Sequence, residues 1–520
     1  MNHSSDSLSA AQIWGLFLAT LLLLTLRLLE FAVSGAGLHV DEAQYWFWSQ
    51  SLEWGYFSKP PVLVALIQTS TTLFGDSVLG VKALAMVCWL LSSWVLGLLA
   101  YRMAGARVAV LAGVLLASTL ISGLLGLSVT TDAPLTLFWV LSMWTLWEAA
   151  HQPGKRAVLW WVACGLSLGL AVLSKYSALA MGVSALLLLW MCPPKQRARV
   201  FKGGLWAIGT MTLVVLPHLL WNMNNGWPTL QHTIDITVGR SEAASVHMSG
   251  QMLHSLRSGA EFVLGQLLIL GPSVLLMAWW VWQRRRRHTS MPVFASLSAR
   301  MPRVALWSVS AYAWAFSAPI LLLGLVQALR AKALINWAVP MAIGVCLWLA
   351  WLARQRQMQI RHLVWIALPG LLLSAIIATA GDLKSWVGIQ TPAGKSKWDI
   401  WSRMRGWDET LLALKPALKD HREIPWVFSS RAALVHTAYA LRDVAPKGYS
   451  FNPDGQVHHH FDWKHSYLSV NQQPALVWIA TEGPSADLLQ SHPDARLLAK
   501  AQSGRVALQA WLLQTKQVNP

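Results

Sequence analysis

The chain has 520 residues, of which 55% are hydrophobic and 12% charged, with 32 tryptophans and a formal net charge of +18. Apolar residues gathered into repeated long runs exclude an ordinary soluble protein and point to a polytopic membrane protein. The positive charge does not indicate nucleic acid, because in the membrane portion the basic residues sit mainly in alternate short connections, as a topology signal does.

The first apolar run, Ile13 to Val33, is too long for a signal-peptide core and has no convincing cleavage site after it, so it reads as a retained first span. An outer loop, residues 34–80, follows. Within it Asp41 and Glu42 emerge directly after the span, where a carboxylate stays ionised without burial in hydrocarbon and can act as a base. Tyr45, Trp46, Phe47, Trp48, Trp54 and Tyr56 suit a headgroup layer, with one dry and one wet side each, so the segment is expected to lie along the interface. Lys59 precedes Pro60 and Pro61, a pair that fits the first turn of a helix running through Val62 to Phe74. A lysine beside a helix N-terminus is an anion site in waiting.

Further spans are expected at Gly80 to Met103, Val108 to Ser128, Pro134 to Ala150, Ala157 to Ser174, Ala178 to Met191, Leu205 to Trp221, Phe262 to Trp282, Val304 to Leu329, Ala333 to Ala353 and Leu363 to Ala380, which makes about eleven with the first. Arg102 and Arg107, Lys155 and Arg156, Lys195 to Lys202, Arg284 to Arg303, and Arg354 to Arg361 fall in alternate connections, which are therefore cytoplasmic. That parity places the opening loop, the Thr130 to Pro134 turn, the Asn222 to Glu261 loop, the Arg330 to Asn336 turn and the whole tail on the other side. Asp41, Glu42, Asp76, Asp132, Asp235 and Glu242 all share that side.

From Gly381 the composition becomes that of a soluble domain, with strand-like runs Pro425 to Ser429 and Ala475 to Ala480 and helix-like runs Trp407 to Leu418 and Ala432 to Leu441. The expected division is thus a membrane domain, residues 1–380, and a small extracytoplasmic α/β domain, residues 381–520. Cys88, Cys164, Cys192 and Cys346 lie in or at the end of apolar runs without CxxC spacing and read as small apolar side chains. His458, His459, His460, Asp462 and His465 have residue types that hold zinc, but three consecutive histidines cannot all point one way, and no metal site is assigned there.

An outer Asp-Glu pair after span one, an aromatic stretch, Lys-Pro-Pro, FGDSVLGVKALA entering span two and TTDAPL before span four occur here in one order and on one side. With Leu173-Ser174-Lys175-Tyr176, LPHLLWNMNNGWPTLQH from Leu216, Asn336-Trp337 with Pro340, and Arg405-Gly406-Trp407 in the tail, the chain resembles the bacterial branch of the C-type glycosyltransferases, related to the dolichyl-phosphate-mannose protein mannosyltransferases and the lipid A aminoarabinose transferase. Lys82 departs from the arginine common at its position, and Ser58 from the other polar residues that often precede Lys-Pro-Pro.

The resemblance implies transfer of a sugar from a polyprenyl-phosphate carrier to a lipid, glycan or protein acceptor outside the cytoplasm. Asp41 would be the general base with Glu42 as neighbour or substitute, because the acceptor hydroxyl loses a proton while the carrier phosphate leaves as an anion without much acid help. Positive charge for that phosphate would come from Lys59 first, then Lys332 or Arg330, and Lys175. Asp132 would orient the acceptor, a side chain or a bound cation, and Tyr45, Tyr56, Asn222, Trp227, Asn336 and Trp337 would line the substrate pocket. No cofactor is assigned, and a divalent cation is compatible. A transporter or lipid flippase is the alternative, marked by paired broken helices and charges at mid-span.

Overall fold

The structure, a computed structural model, describes residues 22–23, 25–238, 248–285, 306–331, 333–386 and 399–515. Most of the expected first span, Glu242, Lys332 and most of the Arg284 to Arg303 connection lie outside the described residues. The chain divides into two compact units: Met1–Leu28, Lys59–Leu63 and Lys82–Ala375 form one, and Leu29–Ser58, Val64–Val81 and Ile376–Pro520 the other.

The first unit is helical. Among the described residues of the chain, six helices are long and apolar enough to cross a membrane: Val78–Ala104, Gly154–Ser174, Pro194–Asn224, His254–Arg284, Val309–Arg330 and Arg361–Ala380. Four more apolar helices, Val62–Phe74, Ala106–Ala117, Tyr176–Met191 and Met341–Gln355, are too short for a straight crossing. Among the described residues fewer than the expected eleven or so spans are unbroken helices of that length. The physical reason lies in helix breaks. The predicted span Val108 to Ser128 splits into Ala106–Ala117 and Leu120–Leu125, because the Thr119 side chain accepts the Ser122 N–H and caps a new helix. Two other predicted spans begin as 3₁₀ turns, Tyr176–Leu179 and Ile335–Ala338. The Asn222 to Glu261 connection, expected as a loop, is largely helical, with Pro228–Val238 and the start of Met248–Arg285 in it.

Helices approach closely where glycine leaves room. A Cβ added at Gly165 would lie 2.3 Å from the Ala207 carbonyl oxygen, and one at Gly344 the same 2.3 Å from that of Ala313. Backbones packed this tightly suit a lipid environment, where small residues and dispersion, not water exclusion, hold helices together. Helix Met248–Arg285 is interrupted at Gly271, whose φ of 72° only glycine adopts without strain, followed by Pro272.

The second unit holds a five-stranded sheet. Its strands are β1 (Trp426–Phe428), β2 (Gly448–Ser450), β3 (Ala475–Ala480), β4 (Asp494–Ser503) and β5 (Val506–Gln514), in the order β2-β1-β3-β5-β4. β1 pairs in parallel with β2 and β3, while β5 is antiparallel to β3 and β4. Val427, Leu476, Trp478, Leu488 and Leu513 form part of its core. Strand β3 and helix Trp407–Leu418 stand where sequence places them, and helix Arg431–Ala440 is displaced by one residue. β2, β4 and β5 were not anticipated.

Helix Val40–Ser49 belongs to this second unit. His39 and Glu42 form its capping box, in which the His39 ring accepts a backbone N–H and the Glu42 carboxylate accepts the His39 N–H at 2.8 Å. The helix packs on Arg431–Ala440 through Trp46, whose ring meets Tyr439 edge-on at 4.9 Å. Both side chains also reach Asp76: Trp46 Nε1 donates to its carboxylate and Tyr439 Oη to its backbone oxygen, each at 2.8 Å. The expectation that this aromatic stretch lies along the interface is therefore corrected. Tyr45, Trp46, Trp48 and Tyr56 are 7%, 4%, 2% and 2% exposed, and only Trp54 among the six is largely open. They are core residues because the tail supplies Tyr439, His460 and Phe461 to bury them.

Candidate functional site

Two polar clusters stand out, one in each unit. In the second unit Asp41 lies in the first turn of helix Val40–Ser49, its side chain 44% exposed. Arg431 Nη2 stands 2.9 Å from Asp41 Oδ1, and Arg431 Nη1 donates to Gln44 Oε1 at 3.0 Å. One guanidinium thus fixes two side chains on a single face of the helix. Ser430 caps the helix that carries Arg431 by accepting the Ala433 N–H, so the cation is anchored at a defined start. His39 Nδ1 is 3.7 Å from the other carboxylate oxygen of Asp41. This leaves Asp41 oriented, ionisable and open to an incoming hydroxyl, the arrangement a general base requires. Glu42, by contrast, is 2% exposed and its carboxylate caps the helix, a structural task.

In the first unit Asp132 is 1% exposed. It opens helix Asp132–His151, where a carboxylate complements the positive end of the helix dipole. Lys175 Nζ contacts Asp132 Oδ1 at 2.8 Å, and Asn336 Nδ2 donates to Oδ2, also at 2.8 Å. Lys175 sits in extended backbone where helix Gly154–Ser174 gives way to the 3₁₀ turn Tyr176–Leu179, and Asn336 sits in the 3₁₀ turn Ile335–Ala338. Three helix interruptions therefore meet on one carboxylate. The charge of Lys175 is balanced here by Asp132. Beside it, Tyr176 Oη is 2.6 Å from His218 Nε2, and Asn222 Nδ2 donates to the His218 carbonyl at 3.1 Å. His218 and Asn222 are fully buried, and among the described residues no hydrogen bond reaches Asn222 Oδ1.

The remaining predicted residues scatter. Lys59 is half-buried ahead of Pro60-Pro61 and belongs to the same unit as Asp132. Arg330 is exposed at the end of helix Val309–Arg330, where a cation complements the dipole, and Lys332 lies outside the described residues. Trp227 is 38% exposed and adopts a φ of 62°, with its N–H donating to the Asn222 carbonyl at 2.7 Å. Trp337 is half-buried. Tyr56 stacks on Trp48 at 4.8 Å and its hydroxyl accepts the Glu53 N–H at 3.0 Å, so it works as a loop-core residue, and Tyr45 packs against the same Trp48. Sequence reasoning missed Arg431, Gln44 and His39. The one local sign of Arg431 was its place after a capping serine at the start of a helical run.

The tail histidines pack and cap. His459 forms a capping box with Asp462, while His460 meets the Trp48 ring edge-on at 5.1 Å. Burial pushes the His460 imidazole down to about 3 and that of His465 to about 4. His436, stacked on Trp407 at 4.2 Å, is likewise held down to about 3 by burial and by nearby His39. Among the described residues no three His, Cys, Asp or Glu side chains converge as a metal site does.

Residues 58–221 match the family model described as dolichyl-phosphate-mannose-protein mannosyltransferase. The chain is 30% identical over 325 residues, 60% of each protein, to the lipid A galacturonosyltransferase RgtD of Rhizobium johnstonii. It is also 30% identical over 180 residues to the undecaprenyl phosphate-alpha-4-amino-4-deoxy-L-arabinose arabinosyl transferase of Enterobacter sp. strain 638, covering 34% of this chain and 32% of that protein. The matched stretches thus span less than two thirds of either relative. The fold is shared with ArnT from Cupriavidus metallidurans, solved in the apo state and bound to undecaprenyl phosphate. Both superpose with a TM-score of 0.60 over 96% of this chain and 98% of that one, at 16% and 14% identity.

Proposed function

We propose, from its likeness to C-type glycosyltransferases, that this protein is an integral-membrane glycosyltransferase. It takes a sugar from a polyprenyl-phosphate carrier and passes it to a lipid acceptor, and it resides in the cell inner membrane with its tail on the periplasmic side. One similar protein is named a lipid A galacturonosyltransferase and the other an arabinosyl transferase of an undecaprenyl phosphate sugar, which supports a lipid acceptor and a uronosyl or pentosyl donor. The observation that carries the reading is Asp41, an accessible carboxylate held by Arg431.

In the proposed reaction the acceptor hydroxyl gives its proton to Asp41 as its oxygen attacks the anomeric carbon, and the bond from that carbon to the carrier phosphate breaks. The phosphate leaves with its negative charge, and Lys59 is assigned to stabilise it. Asp132, Lys175 and Asn336 hold three helix breaks in register, and Asn222 and Trp227 frame the same stretch of the membrane unit. The broken helices bear on the transporter alternative, but their charges pair at helix ends instead of standing alone at mid-span, which favours the enzyme.

The experiment is transfer by purified protein from a polyprenyl-phosphate sugar to a lipid A acceptor, read by mass spectrometry of the acceptor. Transfer by the parent with none by Asp41→Asn supports the reading, and no modified acceptor from any pentosyl or uronosyl carrier overturns it.

A further inference from the structure

The end of the first unit remote from Asp132 contains a recess of about 230 Å³. It is walled by the last turn of helix Asp132–His151, the start of Gly154–Ser174 and the early turns of Pro194–Asn224. Helix Asp132–His151 is 20 residues long, a rise of about 30 Å, so the recess belongs to the opposite membrane face from the Asp132 cluster. Its chemistry is divided. Arg199 and Lys202 border it, while Ala157, Val158, Trp161 and Trp206 give it an apolar wall.

Two features argue for an anionic occupant. Helices Gly154–Ser174 and Pro194–Asn224 both lack an acid in the first turn and carry cations there instead, Lys155 and Arg156 on one and Lys195 and Arg197 on the other. Cations at the positive end of a helix dipole are unfavourable unless a negative partner is present. Among the described residues the protein does not supply that partner: Glu148, the acid at this end, accepts two hydrogen bonds from Arg102, at 2.5 and 2.9 Å, and one from Gln152 at 3.0 Å. Arg199 spends one nitrogen on the Ala150 carbonyl at 2.7 Å, which fixes its guanidinium at the rim, and Lys202 is exposed with no protein partner among the described residues.

We propose that this recess binds the phosphate of an anionic phospholipid, with Arg199 and Lys202 on the headgroup and the Val158, Trp161 and Trp206 wall against the first acyl carbons. Basic pockets between membrane helices recognise such headgroups, and tryptophan suits the level where headgroup meets chain. The inference needs the membrane setting and not the sugar-transfer chemistry, so the two stand or fall separately.

The test uses the full-length protein in detergent and measures binding of phosphatidylglycerol against phosphatidylcholine by native mass spectrometry. The parent should prefer phosphatidylglycerol, and the double variant Arg199→Gln/Lys202→Gln should bind it about 30-fold more weakly, at roughly 1 kcal/mol for each cation. Val158→Trp, which fills the recess without altering charge, should also lose the preference. Lys155→Gln/Arg156→Gln removes equal charge from helix-start positions that do not line the recess and should weaken the preference only a few-fold. Equal losses in both double variants, or no preference in the parent, would show a diffuse surface charge in place of a site and overturn the proposal.

Discussion

Arg431 and Asp41, 390 positions apart in sequence, are joined at 2.9 Å within one compact unit. The start of a tail helix thereby orients a carboxylate on the helix that follows the first membrane run. If that orientation matters to proton abstraction, Arg431→Met should lower kcat for transfer about ten- to a hundredfold with little change in KM, because the lost interaction positions the base and not the substrate. Arg431→Lys should restore only part, since a point charge reaches Asp41 or Gln44 but not both in a fork. Steady-state kinetics of the two variants decide it.

Asp132 and Lys175 form a buried ion pair joining helix ends, with side chains 1% and 20% exposed. Removing one partner strands the other. Asp132→Asn or Lys175→Met alone should destabilise the protein by about 3–5 kcal/mol, whereas the double variant should regain a large part of that loss. Asn336→Ala, which leaves the pair intact, should cost about 1–2 kcal/mol. Thermal melts of the four proteins in one detergent give the coupling directly. Additive losses would mean that the pair is not an energetic unit.

A pH effect follows from the buried imidazoles of the tail. His436 and His460 titrate near 3 in the folded protein and near the ordinary histidine value of about 6.5 when unfolded, so below that value the unfolded chain binds more protons. Their contribution is complete above about 6.5 and is lost as pH falls toward 3, at up to about 1.4 kcal/mol per pH unit for each group. Melting temperature should therefore drop between pH 7.5 and 5. His460→Phe, which keeps a ring against Trp48, should flatten that drop, and an unchanged slope would place the titration elsewhere.

Much of this was legible in the chain, and the misses share a cause. Apolar runs gave the long helices, Lys59 with two prolines gave helix Val62–Phe74, and Lys59 and Asp132, two of the residues behind the resemblance, lie in the stretch that the mannosyltransferase family model matches. The breaks at Thr119, Lys175 and Asn336 were hidden because hydropathy does not register a capping hydroxyl or an ion pair that ends a helix. Strands β4 and β5 carried a readable sign, alternation on either side of Gly504 with its φ of 57°, that the turn should have exposed. The burial of Trp46 and Trp48 could not be read locally, since their partners Tyr439 and His460 lie some four hundred positions on. For the same reason Arg431 was invisible as a partner of Asp41 until the fold brought the two together.

The central claim is that Asp41 takes the acceptor proton, and the measurement that addresses it is single-turnover transfer by Asp41→Asn from a purified polyprenyl-phosphate sugar, beside carrier binding by the same variant. The amide keeps the size of the carboxylate and cannot accept the proton as a base, so transfer should fall by about a hundred- to ten-thousandfold while carrier affinity and melting temperature stay near the parent's. Transfer within a few-fold of the parent by a folded, carrier-binding Asp41→Asn protein would contradict the account.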